Sequence, residues 1–111
     1  MKKIMVYQAA TQEQFSQNML ASIFGANYVS VEDMEQVVML RQDGDDNTIL
    51  EDMFYKMNSE EYRYSLNYSM STGDVVRIDD TYYRCMPTGW ENISYEVHSE
   101  EWEMWESNNE D

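Results

Sequence analysis

The chain of 111 residues holds one cysteine, one histidine, one proline, four glycines and only seven Lys and Arg against 22 Asp and Glu. A single cysteine excludes an internal disulfide and a cysteine-cluster zinc site. One histidine leaves little vocabulary for acid-base or nucleophilic chemistry, so no enzyme, metal or cofactor is expected. No apolar run approaches the ~18 to 20 residues of a membrane span. Met1-Lys2-Lys3 has the basic start of a secretory signal, but Gln8 interrupts the following apolar run, well short of the roughly 7 to 15 residues a signal needs. A cytoplasmic protein with a reduced thiol is expected. The scarcity of bases leaves a net charge of −15. Such a surface repels phosphate, so direct nucleic-acid binding and binding to an anionic membrane are not expected, and the natural partner is basic.

What is present argues for a folded chain. Hydrophobic residues make up 42% and aromatics 14%, too apolar a mixture for a disordered polyelectrolyte, and the length suits one core. Ile4-Met5-Val6-Tyr7 reads as a strand buried on both faces. Thr11 and Gln14 form a capping box, Phe15, Met19, Leu20, Ile23 and Phe24 follow at helical spacing, and Gly25 suits a left-handed C-terminal position, which predicts a helix over 12–24. Residues 27–42 are ambiguous: Tyr28-Val29-Ser30-Val31 alternates like a strand, and Val37-Val38-Met39-Leu40 reads as a buried strand on its β-branched pair. After a turn at 43–47, a second capping box at Thr48 and Glu51 opens a helix with Leu50, Met53, Phe54 and Met57 inward, ending near Asn58. Asp74 to Ile78 and Tyr82 to Met86 flank a polar turn and predict a hairpin, and Asn92 to Val97 alternates as a further strand. The expectation is one α+β domain over 1–98, two helices on a small, mainly antiparallel sheet with a C-terminal hairpin, followed by an acidic tail over 99–111.

Local motifs for chemistry are weak. Cys85 lies between large residues of a predicted strand and reads as a buried thiol. His98 has no second ligand in sequence. Asp43, Asp45 and Asp46 superficially suggest a calcium loop, but the twelfth position would be Phe54 in place of a bidentate Glu. Met19, Met53 and Met57 read as helix core, although ten methionines also suit an adaptable surface. Tyr62, Tyr64 and Tyr68 alternate with polar residues and fit either a half-buried segment or a contact surface.

Acid clustering is the informative feature. A folded chain of this mass exposes on the order of 6,400 Å², so the acids average roughly one per 290 Å², where a DNA duplex carries about one charge per 110 Å². Only clustered carboxylates would imitate a phosphate row. They do cluster: Asp43, Asp45, Asp46, Glu51, Asp52, Glu60 and Glu61 are opposed only by Lys56, and residues 91–111 hold eight acids and no Lys or Arg. If helical, Glu100, Glu101, Glu103 and Glu106 span ~9 Å, a linear charge density close to that of the ~3.4 Å phosphate spacing of one strand. A solvated tail that keeps the protein soluble has the same composition, but it has no use for Trp102 and Trp105, which suit an interface anchor.

Ser69-Met70-Ser71-Thr72-Gly73-Asp74-Val75-Val76, then Tyr82-Tyr83-Arg84-Cys85 and Gly89-Trp90-Glu91-Asn92-Ile93, together with the helix from Leu50 to Asn58, resemble the YodL-like small proteins carried by phages and conjugative elements of Gram-positive bacteria. The resemblance covers about residues 48–93 and transfers no catalytic or binding residue. It implies a mobile-element setting, in which small acidic proteins often inhibit host defence, anti-CRISPR proteins among them. The expected function is inhibition of a type II RNA-guided DNA nuclease, a CRISPR effector, by occupation of its basic PAM-reading surface, through Asp43, Asp45, Asp46, Glu51, Asp52, Glu100, Glu101, Trp102, Glu103, Trp105 and Glu106. The competing expectation is a non-enzymatic accessory module that binds another protein through Tyr and Trp.

Overall fold

The structure, a computed structural model, describes residues 1–25, 27–94 and 96–97. In chain order its elements are β1 (Lys2–Gln8), α1 (Gln12–Phe24), β2 (Glu35–Gln42), α2 (Asp46–Met57), β3 (Val75–Ile78), β4 (Thr81–Cys85) and β5 (Trp90–Asn92), with 3-10 turns at Val31–Asp33 and Glu60–Tyr62. The strands form one antiparallel sheet in the order β2-β1-β3-β4-β5. The protein is an α+β domain.

β1 is an interior strand, which is why Ile4, Met5 and Val6 are all buried. Strand alternation sends Ile4 and Val6 to one face, where Val38, Val76 and Ile78 join them and α2 closes the layer with Ile49, Leu50, Met53 and Met57. A bulge where β2 passes Val6 and Tyr7 leaves Val37 as an extra residue, and it too packs against this core. The opposite face carries a smaller cluster of Val29, Met34, Val75, Tyr82 and Ile93.

The β3–β4 hairpin forms as expected, with Ile78 opposite Thr81. Its turn residue Asp79 takes φ 51, a left-handed conformation that Asp tolerates. Asp79 also accepts from Lys3 N–H at 2.9 Å and donates its own N–H to Lys3 O at 2.8 Å, which fastens the turn to β1.

Four local expectations are corrected. Tyr28 to Val31 is not a strand; the chain there ends in the 3-10 turn. The sheet stops at Asn92, because Glu96 N–H and Val97 N–H donate to Ile93 O and turn the chain away. The cap of α2 is Asp45, whose carboxylate accepts from Thr48 N–H at 2.9 Å and from Thr48 hydroxyl at 3.1 Å, so Thr48 is inside the helix; Ile49 is inward and Phe54 is outward.

The fourth concerns α1. Thr11 and Gln14 cap it and Gly25 ends it at φ 71, as the spacing predicts. Its buried residues, however, are Asn18 and Ala21, whereas Leu20, Ile23 and Phe24 face solvent and Met19 is only half-buried. The cause is what lies opposite. At its centre α1 approaches backbone, where a Cβ on Gly73 would stand 2.7 Å from Asn18 Cβ, while nearer its start Phe15 packs edge-on against Tyr68 with ring centroids 4.6 Å apart. Asn18 Oδ1 accepts from Val29 N–H at 2.8 Å, a buried donor that a leucine would leave unpaired.

Candidate protein-docking surface

The Asp43 to Asp52 cluster is split by the fold. Asp43 is exposed and 3.4 Å from the N-terminal amine. Asp45 is the helix cap, and the backbone and hydroxyl hydrogen bonds from Thr48 hold its carboxyl below the usual range. Asp46 sits between Lys2 Nζ at 3.0 Å and Tyr83 hydroxyl at 2.6 Å, and the Tyr83 hydrogen bond lowers its pKa most. The reciprocal effect, with burial first, pushes the Tyr83 phenol up to about 12. Asp52 accepts from Gln42 Nε2 at 2.8 Å, and Gln42 Oε1 accepts from Lys56 Nζ at 2.9 Å. Of the five acids predicted here, only Glu51 stands on the outer face of α2.

Glu51 has company that charge counting misses. Phe54 and Tyr55 follow it at i+3 and i+4, so the three share one face, and both rings are exposed, Tyr55 to 79%. Just beyond α2 come Glu60 and Glu61, both exposed, and Tyr64, exposed to 91%. Arg63, the base in this stretch, holds its guanidinium 5.6 Å from the Tyr64 ring. The signal was available: Leu50, Met53 and Met57 already complete an inward stripe, so Phe54-Tyr55 is surplus to packing. Among the other tyrosines, Tyr62 is half-buried against the core, and Tyr68 belongs to a buried network.

Several bases are consumed inside the fold. Lys2 pairs with Asp46 and Lys56 with Gln42. Arg77 bonds Asp79 O and lies 3.5 Å from Asp80. Arg84, buried, pairs with Glu96 at 3.2 Å and stacks 3.8 Å from the Tyr28 ring centroid. With four of the seven bases committed in this way, the carboxylates that remain outside project a field with little local compensation.

Two groups with reactive potential, Cys85 and Asp74, are buried. Cys85 is buried, and burial pushes its thiol up to about 11, so it is protonated near neutrality. Asp74 is buried and accepts from Gln8 Nε2 at 3.0 Å, Tyr68 hydroxyl at 2.8 Å and Ser71 N–H at 2.9 Å. Burial raises its carboxyl to about 6 despite those three hydrogen bonds. Gln8 also bonds Tyr68 O and Asn67 N–H, so the network ties the 67–74 loop to the end of β1. Among the described residues no group of three or more His, Cys, Asp or Glu could hold a metal ion, and no helix is long and apolar enough to cross a membrane. His98, Glu100, Glu101, Trp102, Glu103, Trp105 and Glu106 lie outside the described residues.

The chain matches no protein-family model, no curated protein and no solved structure.

Proposed function

We propose that the protein is a binding inhibitor that sets acids and aromatic rings against a basic nucleic-acid-binding surface of a target protein and excludes the nucleic acid. One observation carries this reading: Glu51, Phe54, Tyr55, Glu60, Glu61 and Tyr64 are exposed together on α2 and the turn after it, in a protein of charge −15. Carboxylates of this kind form charge-assisted, bidentate hydrogen bonds with arginines, and the adjacent rings supply the apolar contact that a rim of charge lacks. The acids and tryptophans of the C-terminal segment extend the same chemistry by composition.

The resemblance to YodL-like proteins of mobile elements selects the target. A type II RNA-guided DNA nuclease in the host cytoplasm reads its PAM with arginines and holds its guide duplex in a positive channel. The protein acts on it as an anti-CRISPR protein, by occupation and not by catalysis. The buried, protonated Cys85 and the fully engaged Asp74 support a non-enzymatic role. Exposed Phe54, Tyr55 and Tyr64 also favour a second reading, an accessory module that binds through its rings with the charge incidental.

Mobility-shift assays with purified nuclease, guide and target DNA test the first reading. DNA is displaced as the protein is added, and displacement weakens as salt rises, because surface charge is screened over about 8 Å at physiological ionic strength. Affinity that is flat across salt favours the second reading.

A further inference from the structure

A cleft of about 330 Å³ opens between the C-terminal end of α2, the turn after it and residues 66–69. Glu60 stands in its wall, so the cleft continues the acid-bearing surface of α2. Met57 and Leu66 give it an apolar side. Most of its polar side chains have spent their donors inside the fold. Asn58 Nδ2 donates to Phe54 O at 2.7 Å and Asn67 Nδ2 to Ala9 O at 3.2 Å. A carbonyl only accepts, so these bonds fix the nitrogen of each amide and leave Oδ1 as the group it still offers. The Ser59 hydroxyl donates to Lys56 O at 2.6 Å and the Tyr68 hydroxyl to Asp74 at 2.8 Å. Ser69 adds a hydroxyl that accepts as readily as it donates. Two charged side chains line the cleft among the described residues, Glu60 and Arg63, and the Arg63 guanidinium is 5.6 Å from the Tyr64 ring.

We propose that this cleft receives the guanidinium of an arginine side chain from the basic partner, as one anchor of the docking surface; the origin of the arginine rests on the function proposed above, and the chemistry of the cleft does not. A wall that offers mainly acceptors is complementary to a ligand that only donates, and among side chains the cations Arg and Lys are of that kind. A carboxylate or phosphate would instead meet the Glu60 carboxylate and amide oxygens. The end of α2 adds the negative pole of the helix dipole. Arginine suits the cleft better than lysine, because its planar group directs five N–H donors at acceptors spread around a wall and is more weakly hydrated than an ammonium. Its methylene stem has Met57 and Leu66 to lie against. Arg63 opposes the incoming charge, which gives the proposal a test of sign.

Titration of the full chain with N-acetyl-arginine methylamide, read from the NMR signals of the Asn58 and Asn67 side chains and the backbone amides of 57–69, tests the proposal. A ligand of this size saturates near millimolar concentration. The lysine analogue, of equal charge, binds at least about fivefold more weakly. Glu60→Gln weakens arginine binding about threefold, and Arg63→Gln strengthens it about twofold by removing a like charge from the wall. Both residues are exposed, so the circular dichroism spectrum of each variant stays that of the wild type. Equal binding of the two analogues, with shifts spread over the acids of α2, is attraction by net charge alone and overturns the proposal. Weaker arginine binding by Arg63→Gln overturns it too, since the cleft would then not be selecting a cation. The nuclease titration separates this inference from the proposed function. A wild type that displaces DNA without binding the arginine analogue overturns the cleft and leaves displacement standing; one that binds the analogue and leaves DNA in place supports the cleft and overturns displacement.

Discussion

In α2 the positions Leu50 and Met53 sit on the sheet with Ile49 and Met57, whereas in α1 the positions Leu20, Ile23 and Phe24, of the same i, i+3, i+4 spacing as Leu50, Met53 and Phe54, meet solvent. Both helices are capped and terminated by residues suited to the task. What separates them is the surface opposite. α2 lies over a bed of Val6, Val38, Val76 and Ile78 side chains that rewards apolar burial. α1 meets Tyr68 through Phe15, but at Asn18 it lies against backbone, Gly73 and the Val29 N–H, and that contact requires a narrow polar residue. Apolar periodicity reports which residues could be buried together; the opposing surface decides whether they are.

The largest expected effect breaks α2. Met53→Ala empties a fully buried site and costs about 2 to 5 kcal/mol in urea unfolding, while Leu20→Ala on α1 changes stability by less than about 0.5 kcal/mol. Equal losses would mean that α1 is buried as its sequence pattern suggests.

Next comes the contact that turns α1. Gly73→Ala places a Cβ against Asn18 at a residue whose φ is +98, so a loss of about 2 kcal/mol or more is expected. A neutral result would remove the reason given for the orientation of α1.

The loop carrying Gly73 is held by Asp74, whose pKa is raised to about 6 from a reference near 4. A carboxyl with a raised folded-state pKa contributes stability that is fully present below the unfolded value and lost as pH rises through the folded one. The component therefore fades between about pH 4 and pH 6 and amounts to at most about 3 kcal/mol. Unfolding of Asp74→Asn across that window should lack this component, and the variant loses about 1 to 3 kcal/mol by misaligning a donor against Gln8, Tyr68 or Ser71. A slope identical to the wild type would place the titration elsewhere.

The smallest effect separates the two cap assignments of α2. Asp45→Ala loses about 1 kcal/mol and Thr48→Ala less, since Thr48 donates its N–H whatever its side chain. The reverse order would restore Thr48 as the cap.

Local features were legible in the sequence: β1, the limits of α1 and the hairpin each depend on neighbours within a few residues. The orientation of α1 was not, because it depends on Gly73, far downstream. The acid content of the candidate site was legible too, but its partition was not. Asp46 is answered by Lys2 and Tyr83 and Asp52 by Gln42, pairings created by the sheet. Phe54 fits the inward spacing and Tyr55 has no periodic signal, yet both are exposed, because Ile49, Leu50, Met53 and Met57 already fill the face of α2 that meets the sheet.

On the proposed function, the acids and rings on α2 and the turn after it displace nucleic acid from a basic surface. The most direct measurement is target-DNA binding by a type II nuclease–guide complex, titrated with wild type and with a folded variant combining Glu51→Gln, Glu60→Gln, Glu61→Gln and Tyr55→Ala. Wild type should release the DNA, and the variant should need at least about tenfold more protein to do so. Undiminished DNA binding at saturating wild-type protein, or equal potency of the two proteins, would contradict the account.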